Sequence, residues 1–264
     1  MPSWIDGASL KDQTSGKKET GMEYTVEING LPVKATYSDI TVETVLRPLL
    51  TRLETLQQEK KRRILVMMAA PPAAGKSTIC QFLSTFSPVT VLGMDGFHRR
   101  QEDLLAHTTI RDGQVVTLVD IKGAPETFDL PKLTEAVRRV AAGEVIGWPV
   151  YNRLLHNPVE NAMKVEGNIV LLEGNYLLLD EPGWRDLRRY ADYTIRIIAE
   201  EQILRQRLID RKAASGASQA QAVHFVDFSD LPNARLCLAK TMPADLTLKL
   251  CPDGDYVVCP DADL

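Results

Sequence analysis

Residues 64–78 read ILVMMAAPPAAGKST, and they are the part of the chain that decides the fold. The first six residues form an unbroken apolar run, which is typical of a strand buried on both faces of a parallel sheet. The small residues that follow end in Gly75-Lys76-Ser77 and match the pattern GxxxxGKS, with Ala70 at the position of its first glycine. This order predicts a P-loop that leads from a strand into a helix.

The chemistry expected of this loop is phosphate binding. Main-chain N–H groups at the start of the helix point towards the phosphates, Lys76 can reach the β- and γ-phosphates, and the Ser77 hydroxyl can ligate Mg²⁺. The alternative is an alanine-rich turn with an exposed lysine. We expect ATP and Mg²⁺ as cofactors. The predicted nucleotide-binding residues of the loop are Ala73, Ala74, Gly75, Lys76, Ser77 and Thr78.

Further apolar runs, separated by helical stretches, lie at residues 89–94, 168–172, 193–198 and 246–250. Strands that alternate with helices indicate βαβ units. The sequence therefore predicts an α/β protein with the P-loop NTPase fold, in which helices flank a parallel sheet.

The N-terminal region adds a smaller unit to this fold. Residues 22–37 alternate apolar and polar around Asn29-Gly30, which predicts a two-residue β-hairpin. Valine and leucine then recur at helical spacing over residues 41–60, with Pro48 as an expected kink. The prediction is a disordered leader over 1–21, a hairpin and helix over 22–60 and a P-loop kinase domain over 61–264.

Two carboxylates follow predicted strands. Asp95 comes directly after Val91-Leu92-Gly93-Met94, at the carboxyl end of a strand, where open α/β sheets bind ligands. We expect it to orient an acceptor hydroxyl, although an Asp-Gly turn is the alternative. Glu173 ends the run at 169–172 and is expected to hold Mg²⁺ together with Ser77, unless it is an ordinary loop carboxylate.

Several longer segments resemble the phosphoribulokinase/uridine kinase family of P-loop kinases, which includes bacterial pantothenate kinases. They are MDGFH at 94–98, KGAPETFD at 122–129, PVYNR at 149–153 and LEGNYLLLD at 172–180. With DLPN at 230–233, the combination is similar to a branch known variously as nucleoside kinase-like or fructose transport kinase-like. Ala70 and Ala73 depart from this branch, which usually has glycine at both positions.

The resemblance implies roles for several side chains. Asp95 would be the catalytic base, and Asn233 would lie in a loop near the adenine. Arginines on the helical stretch 200–212 suit a lid that clamps the transferred phosphoryl group, although a solvated basic face is the alternative. The expected catalytic residues besides Asp95 are Lys76, Arg207 and Arg211. The expected acceptor-binding residues are His98, Tyr151, Arg153 and His156.

Composition excludes other classes of protein. The formal net charge is −4 without a dense basic tract, which argues against nucleic acid as a partner. Four cysteines without CxxC spacing suggest reduced thiols, and no run of eighteen apolar residues or signal-peptide core occurs. We therefore expect a cytoplasmic protein without a membrane span. The hairpin edge leaves a homodimer open.

The predicted activity is ATP- and Mg-dependent phosphorylation of a hydroxyl group on a small molecule. Nucleosides, sugars and pantothenate-like alcohols all remain open as acceptors, because specificity depends on pocket shape. Two alternatives are a P-loop ATPase switch acting on a protein partner and a degenerate nucleotide-binding protein. The second is suggested by Ala70 and Ala73.

Overall fold

The computed structural model of the protein describes residues 21–28, 31–111 and 113–259. The predicted leader, apart from Gly21, and the predicted turn at Asn29-Gly30 lie outside the described residues. The strands are β1 (Gly21–Ile28), β2 (Leu31–Ser38), β3 (Ile64–Ala69), β4 (Val89–Gly93), β5 (Thr108–Arg111), β6 (Gln114–Thr117), β7 (Ile146–Asn152), β8 (Asn157–Val165), β9 (Ile169–Gly174), β10 (Tyr193–Ala199), β11 (Leu246–Leu250) and β12 (Tyr256–Val258).

Helices surround the main sheet. The α-helices are α1 (Asp39–Thr41), α2 (Arg47–Lys60), α3 (Lys76–Ser84), α4 (Gln101–Ala106), α5 (Leu130–Ala141), α6 (Glu201–Ala214), α7 (Gln219–Phe225) and α8 (Leu231–Lys240). Turns of 3₁₀-helix cover Met94–Phe97, Pro125–Thr127 and Arg185–Tyr190, and π-helical turns cover Val42–Leu46 and Val226–Asp230.

The central sheet has the order β12-β11-β10-β3-β9-β4, and only β12 pairs antiparallel within it. All six residues of β3 are buried, as expected for a strand covered on both faces. Register pairs Ala69 with Gly174 and Gly93 with Glu173, so β3, β9 and β4 end at one edge of the sheet. The predicted α/β fold with a parallel sheet flanked by helices is confirmed.

The N-terminal hairpin and helix pack into the same hydrophobic core as the sheet. Tyr37 and Leu53 are at most 2% exposed and belong to one buried cluster with Ile64 and Phe82. The helical stretch from Asp39 to Lys60 contains the π-helical turn Val42–Leu46, and Pro48 is the second residue of α2 after that turn. The irregular turn lies just before Pro48, where a proline ring clashes with the carbonyl of residue i−4, and the predicted kink stays a prediction. A boundary at residue 60 stays a prediction.

Arg63, just before β3, cross-links loops at the far end of the sheet. Its side chain is 9% exposed, and its guanidinium donates to four main-chain carbonyl oxygens. The acceptors are the carbonyls of Gly167 (2.9 Å), Glu144 (2.5 Å), Val165 (3.3 Å) and Val140 (3.4 Å). The planar arginine guanidinium has five N–H donors, so it can bond to several carbonyl oxygens at once better than a lysine ammonium can.

We predict that Arg63→Met lowers the free energy of unfolding by about 3 kcal/mol, because buried carbonyls lose their donors. Urea denaturation measures the change. Arg138→Met is the matched control, since Arg138 forms an exposed pair with Glu135 and should leave stability nearly unchanged. Equal effects of the two substitutions would contradict the role given to Arg63.

Candidate active site

The loop at residues 70–75 leaves β3 and turns into α3 with two left-handed residues. Gly75 has φ +83° and Ala73 has φ +65°, whereas Ala70 is not among the positive-φ residues. A Cβ on Gly75 would lie 2.1 Å from Tyr256 Oη, which donates to the carbonyl oxygen of Ala74 at 2.8 Å. Position 75 thus requires glycine. Of the two alanines that stand where the family branch usually has glycine, Ala73 has a strained left-handed backbone and Ala70 does not.

The start of α3 is joined to the end of β9 by a polar cluster. Ser77 Oγ donates to Glu173 Oε1 at 2.8 Å, and Lys76 Nζ lies 3.9 Å from Glu173 Oε2. The side chains of Lys76 and Glu173 are only 14% and 13% exposed. Burial raises the pKa of Glu173, and the neighbouring Lys76 charge opposes this shift. The cluster thus brings a cation, a hydroxyl and a carboxyl group to the same point.

A cavity of about 560 Å³ opens over this cluster. The predicted site residues that line it are Ala73, Gly75, Lys76, Ser77, Thr78, Asp95, Arg153, Arg207 and Arg211. Residues that the sequence did not single out also line it: Val33, Lys34, Ala35, Thr36, Tyr37, Asp253, Gly254 and Tyr256. The structure therefore joins the P-loop, one strand-end carboxylate and three arginines around one space.

Asp95 lies on the 3₁₀ turn Met94–Phe97 that follows β4. Two contacts hold this turn. A Cβ on Gly96 would lie 2.0 Å from the carbonyl oxygen of Pro149, so the turn approaches β7 too closely for a side chain. Trp148 Nε1 donates to the carbonyl oxygen of Gly93 at 2.9 Å. The position of Asp95 is thus set by packing against β7.

Beside Asp95 lies an aromatic and basic group. His98 stacks on Phe128 with ring centroids 4.0 Å apart and meets Tyr151 edge-on at 5.3 Å. Burial lowers the pKa of His98, and the nearby Asp95 carboxylate opposes this. Lys122 Nζ lies 5.0 Å from the Tyr151 ring centre, and burial lowers its pKa. Lys122 belongs to the KGAPETFD segment but was not among the predicted site residues.

Two predicted site residues lie elsewhere. His156 is exposed in the turn between β7 and β8, and only its carbonyl oxygen is engaged, by Lys122 Nζ at 3.0 Å. Asn233 does not lie in a loop: it is on α8 and is 3% exposed. The predicted loop is wrong, because the chain passes from the π-helical turn Val226–Asp230 directly into α8, with Pro232 in the first turn. Like His98 and Tyr151, neither residue lines the cavity over the P-loop, and the binding roles of all four stay predictions.

The arginines of α6 differ in their surroundings. Arg207 Nη1 lies 3.4 Å from the carbonyl oxygen of Ala73, directly over the P-loop. Arg205 instead pairs with Asp227 on the surface through two bonds of 2.7 and 2.8 Å. Arg211, one helical turn beyond Arg207, also lines the cavity. Arg207 and Arg211, four residues apart on α6, therefore line the cavity, and of these two Arg207 contacts the P-loop.

The P-loop between a buried parallel strand and a helix, with carboxylates at the ends of neighbouring strands, defines a P-loop kinase. Residues 65–255 match the Phosphoribulokinase / Uridine kinase family. The chain belongs to this family, as the resemblance of its motifs predicted.

Relatives agree with this assignment. The uncharacterised protein YggC of Escherichia coli (strain K12) is 40% identical over 243 residues, which are 89% of this chain and 98% of YggC. A crystal structure from Silicibacter sp. TM1040, provisionally described as a fructose transport system kinase, has a TM-score of 0.68 and 34% identity, covering 77% of this chain and 98% of that one. A pantothenate kinase of Psychromonas ingrahamii is 27% identical over 177 residues, 60% of this chain and 52% of that enzyme.

Over the ranges that the structure describes, every helix is too short or too polar to cross a bilayer.

We predict that Ala73→Gly raises the free energy of unfolding by about 0.5 to 1 kcal/mol. Removing the strain of a left-handed alanine stabilises the folded state by about 1–2 kcal/mol. This exceeds the free-energy cost of about 0.4–1 kcal/mol that comes from the greater conformational entropy of glycine in the unfolded chain. Chemical denaturation gives the difference. Ala70→Gly is the matched control and should destabilise, because Ala70 is buried and is not in the left-handed region. If Ala70→Gly stabilised the protein instead, the assignment of the backbone strain to Ala73 would be wrong.

Proposed function

We propose that the protein transfers the γ-phosphoryl group of ATP, with Mg²⁺, to a hydroxyl group of a small molecule. The observation that carries the proposal is that Asp95 lines the same cavity as Lys76 and Ser77 of the P-loop. A carboxylate at that place can serve an acceptor hydroxyl, whereas phosphate binding alone would not need it. The kinase relatives support the same reaction class.

The side chains present fit the two cofactors. Main-chain N–H groups of residues 73–78, Lys76 and the left-handed Gly75 provide the donors and the close approach that phosphates need. Ser77 Oγ and Glu173 Oε1 are 2.8 Å apart and are the hard oxygen ligands that Mg²⁺ prefers. Bound there, the metal would neutralise charge on the transferred group.

In the proposed reaction Asp95 orients the acceptor hydroxyl and takes its proton as the new O–P bond forms. The bond between the γ-phosphorus and the bridging oxygen breaks, and ADP leaves. Lys76, Arg207 and Arg211 offset the negative charge of the phosphoryl oxygens in a partly desolvated site. Arg153, beside Tyr151, would contact the acceptor. Nucleosides, sugars and pantothenate-like alcohols are the acceptor classes to be tested.

The two alternative functions receive less support. A degenerate nucleotide-binding protein was suggested by Ala70 and Ala73, but Ala70 is not in the left-handed region, and Ala73 adopts its angle without displacing Lys76 from Glu173. An ATPase switch leaves the position of Asp95 beside His98 and Tyr151 without a role.

We predict that Asp95→Asn lowers turnover at least ~10²-fold and leaves MgATP affinity within a factor of about two, because it removes the proton acceptor. ADP release is measured with a panel of nucleosides, sugars, sugar phosphates and pantothenate. Asp186→Asn, at an exposed carboxylate of the 3₁₀ turn Arg185–Tyr190, is the matched control and should keep full turnover. Retained turnover in Asp95→Asn would refute the role of Asp95.

We predict that Glu173→Gln raises the Mg²⁺ concentration required for half-maximal turnover by about tenfold, because a carboxylate ligand becomes a neutral amide. The measurement is ADP release at fixed ATP over a range of Mg²⁺ concentrations. Glu126→Gln, on the 3₁₀ turn Pro125–Thr127 and outside the cavity lining, is the control. An unchanged Mg²⁺ requirement would exclude Glu173 from the metal site.

A further inference from the structure

One wall of the cavity comes from outside the residues that match the family. Residues 33–37 of β2 line it, although the family match begins only at residue 65. The turn at Asp253-Gly254, between β11 and β12, lines it as well. The hairpin therefore belongs to the walls of the site, and the sequence alone gave it no role.

The polarity of the cavity shows which part of a nucleotide this wall would meet. Glu173, which lies close enough to Asp95 to be affected by its charge, bonds to Ser77, so the transferred phosphate belongs at that end. Thr78 is one residue further along α3 and lies near Tyr37. The rest of a bound nucleotide would thus extend past Thr78 towards β2 and the turn at 253–254.

The wall is firmly attached. Ser38 N donates to Asp255 Oδ1 at 2.9 Å. Thr41 Oγ1 donates to the carbonyl oxygen of Tyr256 and accepts from its N–H, both at 3.3 Å. The Tyr37 ring packs edge-on against Phe82 with centroids 5.1 Å apart. The hairpin is therefore held against the terminal turn and α3.

Tyr37 brings a polar atom to this wall. The residue is 2% exposed, and its hydroxyl lies beside that of Thr78. The Thr78 hydroxyl donates to the carbonyl oxygen of Gly75 at 2.6 Å and can still accept a hydrogen bond from Tyr37. The lone pairs of the Tyr37 hydroxyl then remain to accept a hydrogen bond from a ligand N–H or O–H in the cavity.

The main chain of β2 offers further polar groups. Residues of an antiparallel strand alternate between facing the partner strand and facing away. Since Ser38 N points to Asp255 and not to β1, the N–H and C=O of Thr36 also face away from β1, on the side of the terminal turn. A donor and an acceptor side by side match the N6 amino group and a ring nitrogen of adenine.

We propose that the N-terminal hairpin is the nucleoside-binding wall of the ATP site, with the open edge of β2 at Thr36 and the hydroxyl of Tyr37 as its polar contacts. This inference rests on the proposed function, since it assumes that the P-loop holds the triphosphate. The hairpin then determines affinity for the nucleoside part and leaves phosphate binding unaffected.

The test compares MgATP with Mg-tripolyphosphate, which has the phosphates but no nucleoside, by calorimetry on the full-length chain. Thr36→Pro removes one outward N–H, and Tyr37→Phe removes one hydroxyl. Thr25→Pro is the matched control, since Thr25 has the same parity but faces the outer edge of β1. Thr36→Pro and Tyr37→Phe should each weaken MgATP binding about fivefold to tenfold and leave tripolyphosphate binding unchanged. Thr25→Pro should change neither.

Each other outcome has a distinct meaning. If the hairpin variants lose affinity equally for MgATP and tripolyphosphate, the hairpin only supports the P-loop. If their MgATP affinity is unchanged, the hairpin does not contact the nucleoside. Either result overturns the inference and leaves the kinase proposal standing. Failure of the wild-type protein to bind either ligand would overturn the kinase proposal itself. Circular dichroism of the variants confirms that they are folded.

Discussion

Phosphate binding requires that consecutive main-chain N–H groups point to one place, and the rest of the site depends on this constraint at residues 70–75. The loop has left-handed backbone at Ala73 and Gly75, and the Tyr256 hydroxyl donates to the carbonyl oxygen of Ala74. These contacts join the loop to β12. A change in the terminal strand would therefore be felt at the phosphate-binding end of α3, although the two are far apart in sequence.

Strand order brings the strand-end carboxylates next to this loop. Because β9 lies between β3 and β4, the last residues of β9 are next to both the P-loop and the Asp95 turn. Glu173 can thus bond to Ser77 while its other neighbours include Asp95. The resulting group is closely packed and partly desolvated, so its charges interact more strongly than they would in water.

Sequence patterns predicted those parts of the structure that depend on local signals. The strands β3 and β11 have the predicted bounds, because each is a short apolar run between turn residues. The P-loop and the strand-end acids are local motifs as well. Long-range packing could not be predicted from the sequence. Contacts between distant segments produce the cavity wall formed by β2, the approach of Lys122 to Tyr151 and the helical conformation of Asn233. The backbone angle that distinguishes Ala73 from Ala70 also required coordinates.

The bond from Ser38 to Asp255 closes a loop of 217 residues, and the contacts of Thr41 with Tyr256 span 215. During synthesis the chain grows from its N-terminus, so β2 emerges from the ribosome long before the strand that it must meet. Closing so long a loop costs conformational entropy before any contact compensates for it. The cavity over the P-loop is consequently completed only after β12 has been translated. Nascent and C-terminally truncated chains would contain the whole P-loop motif and still lack a finished site.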